Sequence, residues 1–355
     1  MSCHNALPKN EAGRASASAS NKKMRAAFSL IELLISLAVL SVIVVLAASL
    51  IGAIQDVWKR SSARTEQFRS ARQALETVSA RLSQATLNPY WVVQTNASGV
   101  PVRYERQSDL RFLAGPAIST IGSTLGNGTI VPGSAVFFQA PTGYFSNSTD
   151  SSLNAAMNTW GYYVEYGPDS SRPSFITPSI IPTKNRFRLV EFIDPSDGLT
   201  VFSKTSGNSA YNGKDWFTAP LATAGTRRVL ADNIVAFVAL PRLSSTEDST
   251  GTALSSTYTY DTTTSNATPK LNPKHQLPPI VDIAVVAISE TTANRITWGS
   301  SRPDFGTSTL FQNAADMDAD LETLRTNIEK MNLSARVFRT SVPISAARWS
   351  TEQKN

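Results

Sequence analysis

"KKMRAAFSLIELLISLAVLSVIVVLAASLIGAI", residues 22–54, decides how the rest of the chain is read. A basic run, Lys22, Lys23 and Arg25, leads into a long apolar segment that carries a single acid, Glu32, near its start. From Leu33 to Ile54 there are 22 residues without a charge, about 33 Å of helix at 1.5 Å per residue, enough to span a bilayer. The basic residues ahead of the span place the N-terminal tail in the cytoplasm and the bulk of the chain outside. Lys59, Arg60 and Arg64 beyond it lessen that asymmetry. The apolar core is too long for an ordinary secretory signal, whose core runs about 7–15 residues. A carboxylate inside a bilayer costs about 2.5–3.5 kcal/mol on insertion scales, which makes Glu32 a candidate functional residue. On the residues alone two readings of it stand level. Its charge meets a partner elsewhere, or it sits unpaired at the membrane edge, protonated or snorkelling to water.

The chain has 355 residues, room for one large domain or two smaller ones. Of 33 basic and 27 acidic residues, the first 27 positions hold five and one, so the remainder carries 28 and 26 and is near neutral. The basic character belongs partly to the tail and gives little support to nucleic-acid binding. Cys3 is the only cysteine, so no intrachain disulfide can form. His4 and His275 are the only histidines, which excludes multi-histidine zinc sites and any histidine-based triad not built on His275. His275, in "NPKHQLPPI", reads as a solvated loop residue.

Helical periodicity continues past the apolar run. Ile54, Val57, Ser61, Arg64, Phe68, Ala71, Leu75, Val78, Leu82 and Ala85 recur at alternating spacings of three and four, one apolar stripe broken only at Ser61 and Arg64. Arg60, Glu66, Arg69, Arg72, Glu76 and Arg81 fall off the stripe and read as its solvated face. The "NP" pair at 88–89 ends the pattern, because proline disfavours helix in the residue before it. The remainder reads as strands rich in β-branched and aromatic residues: "YWVVQT", "LRFLAG", "SAVFFQAP", "GYYVEYG", "RFRLVEFI", "NIVAFVAL", "PIVDIAVVAI" and "ARVFRTSVPI". The polar stretch 243–275 reads as a mobile loop, with a shorter one across 116–133. Met317, Leu321, Leu324, Ile328 and Met331 predict a short amphipathic helix before the last strand. The expected fold class is α+β: a long N-terminal helix, transmembrane then amphipathic, packed on an antiparallel β-rich head.

"AFSLIELLISLAVLSVIVV" resembles the N-terminal signature of type IV prepilins and type II secretion pseudopilins. That resemblance implies cleavage between Ala27 and Phe28 on the cytoplasmic side by a prepilin peptidase, and N-methylation of Phe28. Glu32 becomes the fifth mature residue. Ala27 stands where the family usually has glycine. The resemblance also implies that the Glu32 carboxylate meets the freed ammonium of a neighbouring subunit's Phe28 and sets subunit register, a use of buried ion pairs known elsewhere. The implied organisation is a leader over 1–27, a transmembrane and filament-core helix over 28–54, its amphipathic continuation over 55–88, and a head over 89–355.

The implied partners are the peptidase, other pilin or pseudopilin subunits and an inner-membrane assembly platform. The implied location is the inner membrane, single-pass with the head periplasmic, and then a filament. "ADNIVAFVAL", "LPPIVDIAVVAI" and "VFRTSVPISAARW" resemble minor pseudopilins of the J type. "RYERQSDLRFLAG" with the "RTSVPISAARWS" ending is similar to the prepilin-like proteins called Verru_Chthon cassette protein C.

Asp316, Asp318 and Asp320 imitate the start of a calcium loop, but Leu321 and Asn327 stand where an EF-hand needs glycine and glutamate. They read instead as acids at a helix N-terminus. Neither a cofactor nor a metal is expected, and the reading is of a structural protein, not an enzyme. Two others are open: a single-pass anchored periplasmic or surface protein that keeps residues 1–27, and a secreted enzyme cut near Ala48.

Overall fold

A computed structural model describes residues 29–147, 154–168, 175–177, 179–202, 213–223, 225–294, 299 and 301–350. One helix, α1, runs Leu30–Leu82. Its first turn is set by the Ser29 carbonyl, which accepts from the backbone N–H groups of Glu32 at 3.0 Å and Leu33 at 3.2 Å. The chain divides into two compact units, one ending at Trp58 and the other beginning at Lys59. Leu30–Lys59, all but its last residue in the first unit, is long and apolar enough to cross a membrane, and none of its most apolar window is buried. The Ser36 and Ser41 hydroxyls bond back to the carbonyls of Leu33 and Ala38, which satisfies them inside the helix, as an apolar surrounding requires.

In the second unit α1 buries Ala71, Ala74, Leu75, Val78 and Leu82, with Phe68 half-buried beside them. These are the predicted stripe positions from 68 onward plus Ala74. Ile54 and Val57, on the same stripe, are exposed and belong to the first unit. The helix ends at Leu82, before the Asn88–Pro89 pair expected to end it. A turn follows, closed by Gln84 and Ala85 donating to Arg81 and Leu82, and the Thr86 N–H then bonds the Gln139 carbonyl at 2.9 Å. Pairing with a distant segment takes the backbone out of the helix before proline does.

Three antiparallel sheets make up the rest. β1 (Tyr90–Thr95) and β2 (Pro101–Gln107) form a hairpin. β3 (Phe112–Pro116), β4 (Ser134–Pro141), β5 (Met157–Pro168), β6 (Asn185–Asp194), β7 (Arg227–Asp232) and β9 (Tyr260–Asp261) form six strands in the order β7-β6-β5-β4-β3-β9. β8 (Ile234–Arg242), β10 (Ile280–Ile288) and β11 (Ala335–Pro343) form three strands in the order β11-β10-β8. Adjacent aromatic residues on one strand serve opposite faces, as the period of two requires. Phe138 and Tyr162 enter the main core with Val78 and Leu82, whereas Phe137 and Tyr163 enter a second core covered by α2 (Ala117–Leu125) and α3 (Asp215–Leu221). Gly161 makes this possible. A Cβ there would stand 2.4 Å from the Phe137 ring, which stacks on Phe217 at 4.0 Å between centroids.

Two expectations need correction. Residues 116–133 are not a mobile loop: they hold α2, and Ala117, Ile121, Ile130 and Val131 are buried. The stretch 243–275 is likewise ordered, because Leu243, Leu254, Tyr258 and Tyr260 are buried and β9 pairs with β3. Strands β2, β7 and β9 and helices α2 and α3 were not among the expected elements. A four-residue helix, α4 (Glu290–Ala293), precedes the expected C-terminal helix, α5 (Met317–Lys330). Met317, Leu321, Leu324 and Ile328 of α5 are buried, whereas Met331 lies just past the helix and is exposed.

Candidate functional site

The candidate site is the beginning of α1. Glu32 lies in its first turn, where the unpaired N–H groups of the helix end favour a carboxylate. One helical turn on, Ile35 and Ser36 flank it, and Val39, Leu40 and Ile43 extend the same surface. Glu32 is exposed, and among the described residues its carboxylate has no hydrogen-bond or ion-pair partner. Ala27 and Phe28 lie outside the described residues, so the geometry of the junction itself is not on view. The described part is an uncovered apolar stretch, residues 33–54, with one carboxylate, Glu32, just ahead of it. Such a stretch is suited to lipid or to packing against other helices, and the exposed Glu32 carboxylate stands at its start.

Other sequence candidates sit elsewhere in the second unit. Asp316, Asp318 and Asp320 do not converge: Asp316 accepts from Asn313, Asp318 pairs with Arg339, and Asp320 accepts from the Phe311 N–H at 2.7 Å. Among the described residues no group of three or more histidine, cysteine, aspartate or glutamate side chains is placed to hold a metal ion. His275 is not a solvated loop residue. It is half-buried, its N–H bonds the Thr262 carbonyl at 2.8 Å, and burial, then the Lys274 and Arg111 charges, push its pKa down to about 4. Arg81, expected on the solvated face, lies over the Trp160 ring at 4.7 Å from its centroid and fastens α1 to β5. A cation–aromatic contact between positions 79 residues apart leaves no local signal in the sequence.

Residues 22–48 match the family model described as the prokaryotic N-terminal methylation motif. The matched segment contains the basic cluster, the junction at Ala27 and Phe28, Glu32 and the first two-thirds of the apolar run. No curated protein and no solved structure matches the chain. The chain thus carries the N-terminal motif typical of type IV prepilins and pseudopilins, and one N-terminal helix suited to a single-pass membrane anchor.

Proposed function

We propose that this chain is a pilin-like structural subunit, cut between Ala27 and Phe28 by a prepilin peptidase, methylated at Phe28, and assembled as a minor component of a type IV pilus or type II secretion pseudopilus. The observation that carries this reading is one coincidence. The methylation motif covers residues 22–48, and the same segment opens a helix with Glu32 in its first turn, followed by an uncovered apolar run, residues 33–54, that carries no charge. In lipid the carboxylate is costly; beside the new ammonium of another subunit's Phe28 the cost is offset and the two helices are held in register. The role is structural, with the head facing the periplasm and then the filament exterior, and the partners are other subunits and an inner-membrane assembly platform.

The narrower likeness to J-type minor pseudopilins is supported by one topological fact. The three segments that carry it, around 231–240, 277–288 and 337–349, contribute β8, β10 and β11, which pair as one sheet. A head of this size packs poorly as the repeating unit of a helical lattice, which favours a minor position. Finding this chain as the main subunit of isolated filaments would refute that part.

The test of the whole reading is the mature N-terminus, read by mass spectrometry from membranes with and without the prepilin peptidase. A methylated terminus at Phe28 that depends on the peptidase is the expected result. An intact terminus indifferent to the peptidase would leave an ordinary anchored protein.

A further inference from the structure

The ordered insertion after β8, the segment leading into α5, and Arg339 of β11 enclose a pocket of about 650 Å³. We propose that this pocket binds a neutral saccharide. The inference concerns the head alone and does not rest on the assembly reading.

The lining is rich in groups that both donate and accept. Ser256, Thr259, Thr264 and Ser265 bring hydroxyls, of which Thr264 donates to the Asp261 carbonyl at 2.8 Å and keeps its acceptor lone pairs; the Asn266 amide oxygen accepts from the Thr268 N–H, and the Asn313 amide is held by Ala315 and Asp316. The Ser256 and Ser265 side chains are exposed at the pocket, and among the described residues their hydroxyls bond no protein group, so both exchange with solvent and can turn to a ligand. Leu254, Leu271 and Met317 supply apolar wall between the polar groups. A sugar presents the matching pattern, hydroxyls around a ring with C–H faces. The volume falls within the range of about 300–1,000 Å³ usual for small-molecule sites.

Charge decides between a neutral ligand and an ionic one. Arg242 donates to Asp282 at 2.9 Å and to the Gly251 carbonyl at 2.7 Å. Arg339 pairs with Asp282 at 3.4 Å and with Asp318. The two cations on the wall are therefore matched by two carboxylates. An ionic ligand would give up its hydration and meet no uncompensated opposite charge.

The pocket is also preformed. Leu254, Tyr258 and Tyr260 anchor the insertion in the core, and the Ala314 N–H bonds the Ser256 carbonyl at 2.7 Å across the cleft. Tyr258 and Phe311 both hold left-handed backbone, with φ of 62° and 59°, and their rings meet edge to face at 6.5 Å. For bulky side chains that conformation is strained and persists only where the surroundings impose it.

The full chain, in a detergent without a sugar headgroup, would be titrated by calorimetry and saturation-transfer NMR. The probes are glucose, galactose, mannose, N-acetylglucosamine and N-acetylgalactosamine, with glucuronate and glucosamine as charged counterparts. Binding of at least one neutral sugar at about 1 mM or tighter is expected, with its charged counterpart at least roughly fivefold weaker. Ser256→Trp, which fills the pocket, should weaken binding roughly tenfold or more at unchanged Tm. Ser265→Trp is the second variant, should the first disturb the fold. Three results overturn the proposal: no neutral sugar bound by about 10 mM, a charged sugar bound more tightly, or full affinity in a correctly folded tryptophan variant.

Discussion

The carbonyl oxygen of Ser83 accepts two hydrogen bonds from Ser345, one from its backbone nitrogen at 3.1 Å and one from its hydroxyl at 2.8 Å. Ser83 is the first residue after α1, where helix carbonyls have lost their intrahelical donors, and Ser345 lies just past β11. The end of the chain thus caps the end of the helix. Ser345→Ala removes the hydroxyl bond and keeps the backbone one. Head stability should fall by about 0.5–1.5 kcal/mol in chemical denaturation, with membrane insertion unchanged.

The two units predict two responses to the same truncation. Leu82 is fully buried, so Leu82→Ala should destabilise the head by about 2–5 kcal/mol. Leu40, in the uncovered helix, is 55% exposed, and Leu40→Ala should leave head unfolding within about 0.5 kcal/mol of the parent. Equal losses in the two variants would contradict the division at Trp58 and Lys59.

Glu165 and Arg188 face each other across β5 and β6, with Nη2 and Oε1 3.3 Å apart and side chains 12% and 5% exposed. Arg227 approaches the other carboxylate oxygen at 3.8 Å. Glu165→Gln leaves a buried guanidinium without its charge partner and should cost about 3–5 kcal/mol. Replacing both, Glu165→Leu with Arg188→Met, should recover much of that loss, because the desolvation of two ions disappears with them. A double variant no more stable than the single one would argue against burial as the cause.

Two titrating groups pull head stability in opposite directions. Burial and two cations lower the His275 pKa to about 4 from an ordinary 6.5, so the unfolded chain takes up this proton first as pH falls. Stability therefore drops as pH falls from about 6.5 to about 4. Asp194 is the reverse. Burial pushes its carboxyl up to about 6 from 3.8, with the Thr200 N–H opposing, so the unfolded chain releases its proton first as pH rises. Stability then drops as pH rises from about 3.8 to about 6. Denaturation curves across this range should be shallow for the parent, fall with rising pH in His275→Asn, and rise with pH in Asp194→Asn. The same slope in both variants would assign the pH dependence to other groups.

Where apolar residues run unbroken, the strands were legible. "SAVFFQAP" is β4 from end to end because both its faces are buried and no polar alternation dilutes the signal. β2, "PVRYERQ", opens on proline and carries three charges; it is a strand because β1 pairs with it, not because of its own composition. The amphipathic stripe of α1 was correct from Phe68 onward, yet the helix stopped at Leu82 because Gln139, more than fifty residues away, claims the Thr86 N–H. Of the candidate site, Glu32 and the span were legible, since a lone carboxylate in an apolar run is a local pattern.

By itself, then, the sequence determined the basic run, the apolar stretch long enough to span with its one acid, the amphipathic continuation of the helix and most of the strands. Each is a matter of side-chain polarity within a few positions along the chain. The tertiary structure alone decided that Phe137 and Phe138 serve different cores, that His275 is desolvated, and that residues 243–275 are held in place around a pocket. Those outcomes depend on which distant backbone groups pair and which surfaces cover one another. Burial and desolvation are properties of that assembled surrounding, and no single stretch of residues contains it.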